Sequence, residues 1–86
     1  MVVYIIDEWD TFLEAVATSR YKLYRVKKFD NKAIVQAKAG RLGFEKTFDL
    51  TNPREKEEFE RIMNDIKIWD FVEVKKVVND DEFFYW

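Results

Sequence analysis

The sequence predicts an α+β fold of order βαβββαβ, a mainly antiparallel sheet with two amphipathic helices packed on one face. Three observations predict it. Apolar residues recur at helical spacing in two stretches, 9–16 and 59–66. Between them, residues 21–50 carry β-branched and aromatic residues in strand-length runs, broken by Asp30-Asn31 and by Gly40 and Gly43. Further apolar runs stand before the first helix and after the second. A chain of 86 residues fits one domain, 1–86, with 79–86 as an acidic, aromatic C-terminal tail.

Each element has a local reason. VVYII at 2–6 is a continuous apolar run and reads as a short strand buried on both faces. Asp7 is placed to cap the helix that follows, with Asp10 three residues on as a capping-box variant. Trp9, Phe12, Leu13 and Val16 form one stripe, and Thr18-Ser19 ends the helix. YKLYRVKKF at 21–29 is the next strand. Asp30-Asn31 is a turn signal, and AIVQAKA follows as the returning strand. Gly40 and Gly43 bracket the next bend. FEKTFDL at 44–50 alternates, with Phe44, Lys46, Phe48 and Leu50 on one face. Asn52 suits an N-cap, Pro53 the first helical position, and Glu55 completes a capping box. Phe59, Ile62, Met63 and Ile66 are the buried stripe of this second helix. WDFVEVKKVV at 69–78 reads as the last strand.

Composition excludes several chemistries. There is no Cys and no His, so thiolate chemistry, disulfides, zinc–thiolate sites and an imidazole base are all absent. Ser19 is the single serine and has no base to activate it. No cofactor motif is present, and the protein is expected to be non-enzymatic. An apolar stretch long enough to span a bilayer is missing. The start MVVYIID lacks the basic segment of a secretory signal, so a cytoplasmic location with no membrane partner is expected. Many Lys, Glu and Ile with one Gln suit a thermophile. Aromatics make up 17% of the residues, which helps so small a chain bury enough surface.

Charge is uneven along the chain. The net value is −2. Residues 1–19 carry four acids and no base, residues 20–46 nine bases against two acids, and residues 47–86 eleven acids against six bases. A dipolar molecule with one basic surface follows from blocks of this kind. The central block interleaves cations with aromatics: Arg20, Tyr21, Lys22, Tyr24, Arg25, Lys27, Lys28, Phe29, Lys38, Arg41, Phe44 and Lys46. Cations neutralise phosphates and aromatic faces accept bases, which is what single-stranded nucleic acid requires. The candidate interface is Arg20, Lys22, Tyr24, Arg25, Lys27, Lys28, Lys38, Arg41 and Lys46. The plain structural alternative is a Lys-rich solvated hairpin. In strand 21–29, Lys22, Tyr24, Val26 and Lys28 share one face and Tyr21, Leu23, Arg25 and Lys27 the other, and at most one face points to solvent, so about half of the aromatics named are core whatever the function.

The tail NDDEFFYW is the second candidate. Asp80, Asp81, Phe83, Phe84, Tyr85 and Trp86 read as a partner-binding segment, a homodimer patch or a regulatory tip. The structural alternative is packing onto the sheet edge, with Phe83 and Tyr85 on one side. A third candidate is Glu73-Val74-Lys75, an acid-x-Lys arrangement that metal-dependent nucleases use, for which Asp49 or Asp70 would have to supply the second acid. Gly40-Arg41-Leu42-Gly43 lacks the Lys-Ser/Thr of a phosphate loop and reads as a β-turn.

Three resemblances follow from these residues. Trp9-x-x-Phe12, the basic hairpin KLYRVKKFDNKAIVQAKAG and the helix ending FERIM resemble, over 8–66, the small Alu-domain subunits of the signal recognition particle. That resemblance implies an αβββα unit whose sheet binds RNA as a heterodimer, through Arg25, Lys27, Lys28, Lys38 and Arg41. This chain departs from those basic proteins in being net acidic and in adding a strand at each end. Asp80-Asp81-Glu82 followed by Phe83 to Trp86 resembles the acidic-aromatic tips of single-stranded DNA-binding proteins, which recruit partners and compete with DNA for the basic surface. No flexible linker precedes it here. Gly40-Arg41-Leu42-Gly43 is similar to the turn of DNA-end-binding WGR domains, with Ala39 where their Trp stands. The expected function is a small single-stranded DNA- or RNA-binding protein using a basic, aromatic β-sheet surface. The alternative is a non-enzymatic protein-interaction module or homodimer, a viral or archaeal-type adaptor with an aromatic C-terminal interface.

Overall fold

The structure, a computed structural model, describes residues 2–75 and 80–85, apart from the side chains of 80 and 81. The elements are β1 (Tyr4–Ile6), α1 (Trp9–Val16), β2 (Leu23–Phe29), β3 (Lys32–Ala39), β4 (Leu42–Asp49), α2 (Pro53–Ile68) and β5 (Val72–Glu73), closed by a short 3-10 turn over Asp80–Phe84. The fold is α+β, in the expected order. The five strands lie in the order β1-β4-β3-β2-β5. β2, β3 and β4 form an antiparallel meander, while β1 pairs with β4 and β5 with β2 in parallel. Among the described residues no helix is long and apolar enough to cross a membrane.

The two hairpins follow from their turn residues. Phe29 pairs with Lys32, so Asp30-Asn31 is a two-residue turn. Asp30 takes φ +52°, in the left-handed region that short polar side chains tolerate. Ala39 pairs with Leu42, which makes Gly40-Arg41 the second turn, with Gly40 at φ +61°. Gly43 is therefore a strand residue, not part of the bend.

Helix ends agree with the sequence in part. Asn52 caps α2, its side chain accepting from the backbone N–H groups of Arg54 at 3.0 Å and Glu55 at 3.4 Å. Glu55 does not return to Asn52. Its carboxylate accepts instead from the Asp49 N–H at 3.3 Å, tying the helix start to the end of β4. At α1 the N-cap is Glu8, without a side-chain cap bond, so Asp7 stands one residue too early.

Strand register assigns the sheet faces. Directly paired residues share a face, so Tyr24, Val26 and Lys28 of β2, Ala33, Val35, Ala37 and Ala39 of β3, and Leu42, Phe44, Lys46 and Phe48 of β4 look toward the helices. Alanines of the central strand stand beside the bulky rings, Ala37 next to Phe44 and Ala33 next to Phe48. That leaves room for an aromatic cluster of Trp9, Phe12, Phe44 and Phe71, with ring centroids 5.1–6.5 Å apart. Trp9 Nε1 donates to Asp65 Oδ2 at 2.9 Å and links α1 to α2. Of the expected stripes, Trp9, Phe12 and Val16 of α1 and Phe59, Ile62 and Ile66 of α2 are buried, while Leu13 and Met63 are half-buried against the same core.

Both terminal strands differ from expectation. β1 is an edge strand, and Val3, Tyr4 and Ile5 are exposed rather than buried on both faces. A continuous apolar run carries no period to separate an edge from a centre. β5 spans two residues, because Trp69 is the C-cap of α2 and Asp70 turns the chain with φ +56°. Residues 76–78 of the predicted strand lie outside the described residues.

Candidate nucleic-acid interface

The nine cationic and aromatic residues expected on one surface are divided by the fold. Tyr24, Lys28 and Lys46 belong to the helix side, by the alternation of β2 and β4. Lys46 bridges to Glu58 of α2 at 3.1 Å, and the Lys28 ammonium stands 5.7 Å from the centre of the Phe59 ring. Burial, with the Glu73 carboxylate nearby, pushes the Tyr24 phenol above its ordinary range. Lys22 is buried, donating to the Ser19 carbonyl at 2.8 Å beside Phe71. These four serve the helix layer in the folded state. Arg20 and Arg41 are exposed, one ahead of β2 and the other in the β3–β4 turn. Arg25, Lys27 and Lys38 share the open side, opposite the helices.

Across the centre of that open side runs a polar ladder. Arg25, Gln36 and Glu45 stand directly opposite one another on β2, β3 and β4. Arg25 Nη1 donates to Gln36 Oε1 at 3.1 Å, and Gln36 Nε2 donates to Glu45 Oε2 at 2.8 Å. Gln36 is 1% exposed, and both ends of its amide are satisfied.

One end of the open side is covered. Phe83 and Phe84 of the C-terminal turn are buried there, with rings 5.1 Å apart and edge to face. The Phe84 carbonyl accepts from the Val2 N–H at 2.9 Å. The Lys38 ammonium donates to the Phe83 carbonyl and lies 4.7 Å from the centre of the Phe83 ring. Burial holds the Lys38 ammonium below the ordinary lysine range. Gly43 makes the space for this turn, since a Cβ there would meet Val2 Cγ1 at 2.9 Å and Phe84 Cε1 at 3.0 Å. The tail therefore packs over a sheet face, not against an edge. Phe83 and Phe84 would have to leave the sheet to reach a partner, whereas Tyr85 is exposed. The Trp86 position and the Asp80 and Asp81 side chains lie outside the described residues.

Among the described residues nothing covers the other end, at the β2–β3 turn. Phe29 is 39% exposed there, opposite Lys32 and on the same face as Lys27. Beside it lies a depression of about 260 Å³ bounded by Phe29, Asp30, Asn31, Lys32, Asp49 and Thr51. The Asp49 carboxylate accepts from the Thr51 N–H at 3.0 Å and hydroxyl at 2.6 Å, which holds it below the usual carboxylate range and ionised. Lys32 and Asn31 were legible only as turn and charge. The two-residue turn is the signal that would have set Lys32 beside Phe29.

The acid-x-Lys candidate does not assemble with Asp49, one of the two acids that could complete it. Glu73 is level with Tyr24 on the helix side, while Asp49 is level with Lys32 on the open side at the far end of the sheet. Among the described residues no group of three or more acidic side chains could hold a metal ion. No family model, curated protein or solved structure matches the chain, so the resemblances drawn from its motifs rest on those motifs alone.

Proposed function

We propose that the protein is a non-enzymatic binder of single-stranded nucleic acid, and that it binds at the β2–β3 turn end of the open sheet face. The observation that carries this reading is Phe29, an exposed ring between Lys27 and Lys32 at the one end of that face the C-terminal turn leaves clear. Phe29 stacks a base. Lys27 and Lys32 neutralise the flanking phosphates. The Asn31 amide and the ionised Asp49 offer hydrogen-bonding groups to a base edge seated in the depression. Arg25, fixed by Gln36, extends the cationic track toward the ladder. The αβββα order of α1 to α2 supports the reading by analogy with the Alu-domain subunits.

Fluorescence anisotropy of labelled single-stranded DNA and RNA across a salt series tests the proposal. Affinity is expected to fall steeply with salt. Phe29→Ala is expected to weaken binding about 5- to 150-fold, the equivalent of ~1–3 kcal/mol per stacked base. Replacing Lys27 and Lys32 by Ala should flatten the salt slope by about 0.7 for each phosphate no longer neutralised. Binding that ignores salt, or that survives Phe29→Ala unchanged, would overturn the site.

A further inference from the structure

Three residues stand in one row at the β2–β3 end of the open face. Phe29 pairs with Lys32 and Lys32 with Asp49, so ring, ammonium and carboxylate follow one another across β2, β3 and β4. Asn31 borders the row from the turn. Its backbone carbonyl accepts from the Leu50 N–H at 2.8 Å, which fastens the turn to the end of β4. Asn31 and Asp49 thereby border one depression of about 260 Å³. Pockets that enclose a drug-sized ligand run to roughly 300–1,000 Å³, so this one takes the edge of a base and leaves sugar and phosphate outside.

The Asp49 carboxylate is oriented but not used up. Thr51 directs both its N–H and its hydroxyl to Oδ1. Oδ2 accepts from no group among the described residues, and the Asn31 side-chain amide bonds to none of them. A carboxylate only accepts, whereas a carboxamide can also donate. The depression therefore presents an acceptor and a donor whose backbones are tied together. Single-stranded bases are read on their Watson–Crick edges. Only guanine shows two adjacent donors there, N1–H and N2–H, with the O6 acceptor beside them. Adenine and cytosine set a ring-nitrogen acceptor next to their one amino group. Uracil and thymine flank their one N–H with two carbonyls. Each of these other edges turns a lone pair toward the carboxylate.

We propose that the depression reads guanine. Oδ2 of Asp49 accepts from N1–H and N2–H, the Asn31 amide donates to O6, and Phe29 stacks the base. Lys27 and Lys32 stay with the phosphates. The inference rests on the nucleic-acid reading above and gives that site its base preference.

Fluorescence anisotropy tests it with the full chain and labelled oligothymidylates that differ in one central base: guanine, hypoxanthine, adenine, cytosine or thymine. A single guanine per strand keeps quadruplexes out. The guanine oligomer is expected to bind about 5- to 150-fold tighter than the adenine, cytosine and all-thymine ones. Hypoxanthine lacks only the N2 amine and should lose much of that gain. Asp49→Asn keeps an oxygen for Thr51 but sets a donor where Oδ2 stood. It should erase the preference and leave the salt-sensitive, Phe29-dependent binding of oligothymidylate in place. Asn31→Ala removes an exposed amide that holds nothing in the fold, and should reduce the preference. It keeps the proposal open to test even if Asp49→Asn does not fold. Equal affinity for every base would overturn the guanine site while the nucleic-acid reading stood. So would a guanine preference that survives both substitutions. Failure of every oligomer to bind would overturn the two together. A guanidinium carries the same forked donors as guanine. Displacement of the guanine oligomer by N-acetyl-arginine amide, and not by guanosine 5′-monophosphate at the same concentration, would therefore overturn the proposal as well.

Discussion

The two faces of the sheet are covered by different means. On the helix side the cover is local: each helix brings a stripe set by its own period, and the strands between them supply Phe44 and Phe48. On the open side the cover comes from far away. Lys38 reaches Phe83 across 45 positions of sequence, and the turn that carries Phe83 and Phe84 rests on a glycine and a buried lysine. The difference teaches where cooperativity lies. The helix layer interlocks rings from α1, β4, α2 and the α2–β5 connection, whereas the open layer is one short turn. The open layer is therefore the part expected to open at lower cost, in the manner of a sub-global unit.

The largest effect belongs to the helix side. Phe12 is fully buried and packs against Trp9, Phe44 and Phe71. Phe12→Ala is expected to cost ~3–5 kcal/mol in urea unfolding. Stability in a domain of this size is only ~5–15 kcal/mol in total, so the variant should be near unfolding at 37 °C. A loss under about 1 kcal/mol would mean that this layer is not the cooperative one.

A smaller effect belongs to the open side, and it carries a signature of its own. Gly43→Ala drives a methyl into Val2 and the Phe84 ring, and should cost ~1–3 kcal/mol as the turn lifts. In a Phe84→Ala background the clash with the ring is gone, so the same change should cost less. A coupling of at least ~0.5 kcal/mol in the double-mutant cycle is expected. Strict additivity would show that the C-terminal turn does not rest on Gly43.

Much of the helix side was legible because its signals are local. Trp9, Phe12 and Val16 repeat at helical spacing, Asn52-Pro53 announces a helix start, and Asp30-Asn31 closes a hairpin by turn chemistry. What escaped the sequence depends on register and on long-range return. Alternation in β2 shows that Lys28 and Lys27 face opposite ways, yet only the pairing with β3 and the position of the helices decide which one lies on the open side. Trp69 and Asp70 look like strand residues but end a helix, because the C-cap at Trp69 needs the turn that Asp70 makes. Lys22 and Lys38 look like surface cations. Their burial comes from Phe71 and from Phe83, neither of them a neighbour in sequence. Phe29 was visible as an aromatic among cations. Its place at the clear end of the open face follows only from the long-range return of Phe83 and Phe84 over the other end.

The smallest effect isolates Lys38 itself. Burial lowers its folded-state pKa beneath the 10.5 of an unperturbed lysine. In the window between the two values the unfolded chain binds more protons than the folded one, so stability rises with pH there. Below the folded value the cost of burying the charge is present in full. Tyr24 acts in the opposite sense above pH 10, because its phenol is raised and stays protonated longer in the folded state. Lys38→Met keeps the length of the side chain and removes the charge, while Tyr24 remains and cancels between the two proteins. At neutral pH the substitution is expected to change stability by only ~0–1 kcal/mol, since exchanging a buried charge for a packed apolar chain is often neutral or better. The informative quantity is the difference between wild type and Lys38→Met, measured by urea unfolding at a series of pH values. It should move in favour of the wild type as pH climbs toward 10.5 and then level off. A flat difference would mean that the ammonium beneath Phe83 is solvated like any surface lysine, and that the C-terminal turn spends much of its time off the sheet.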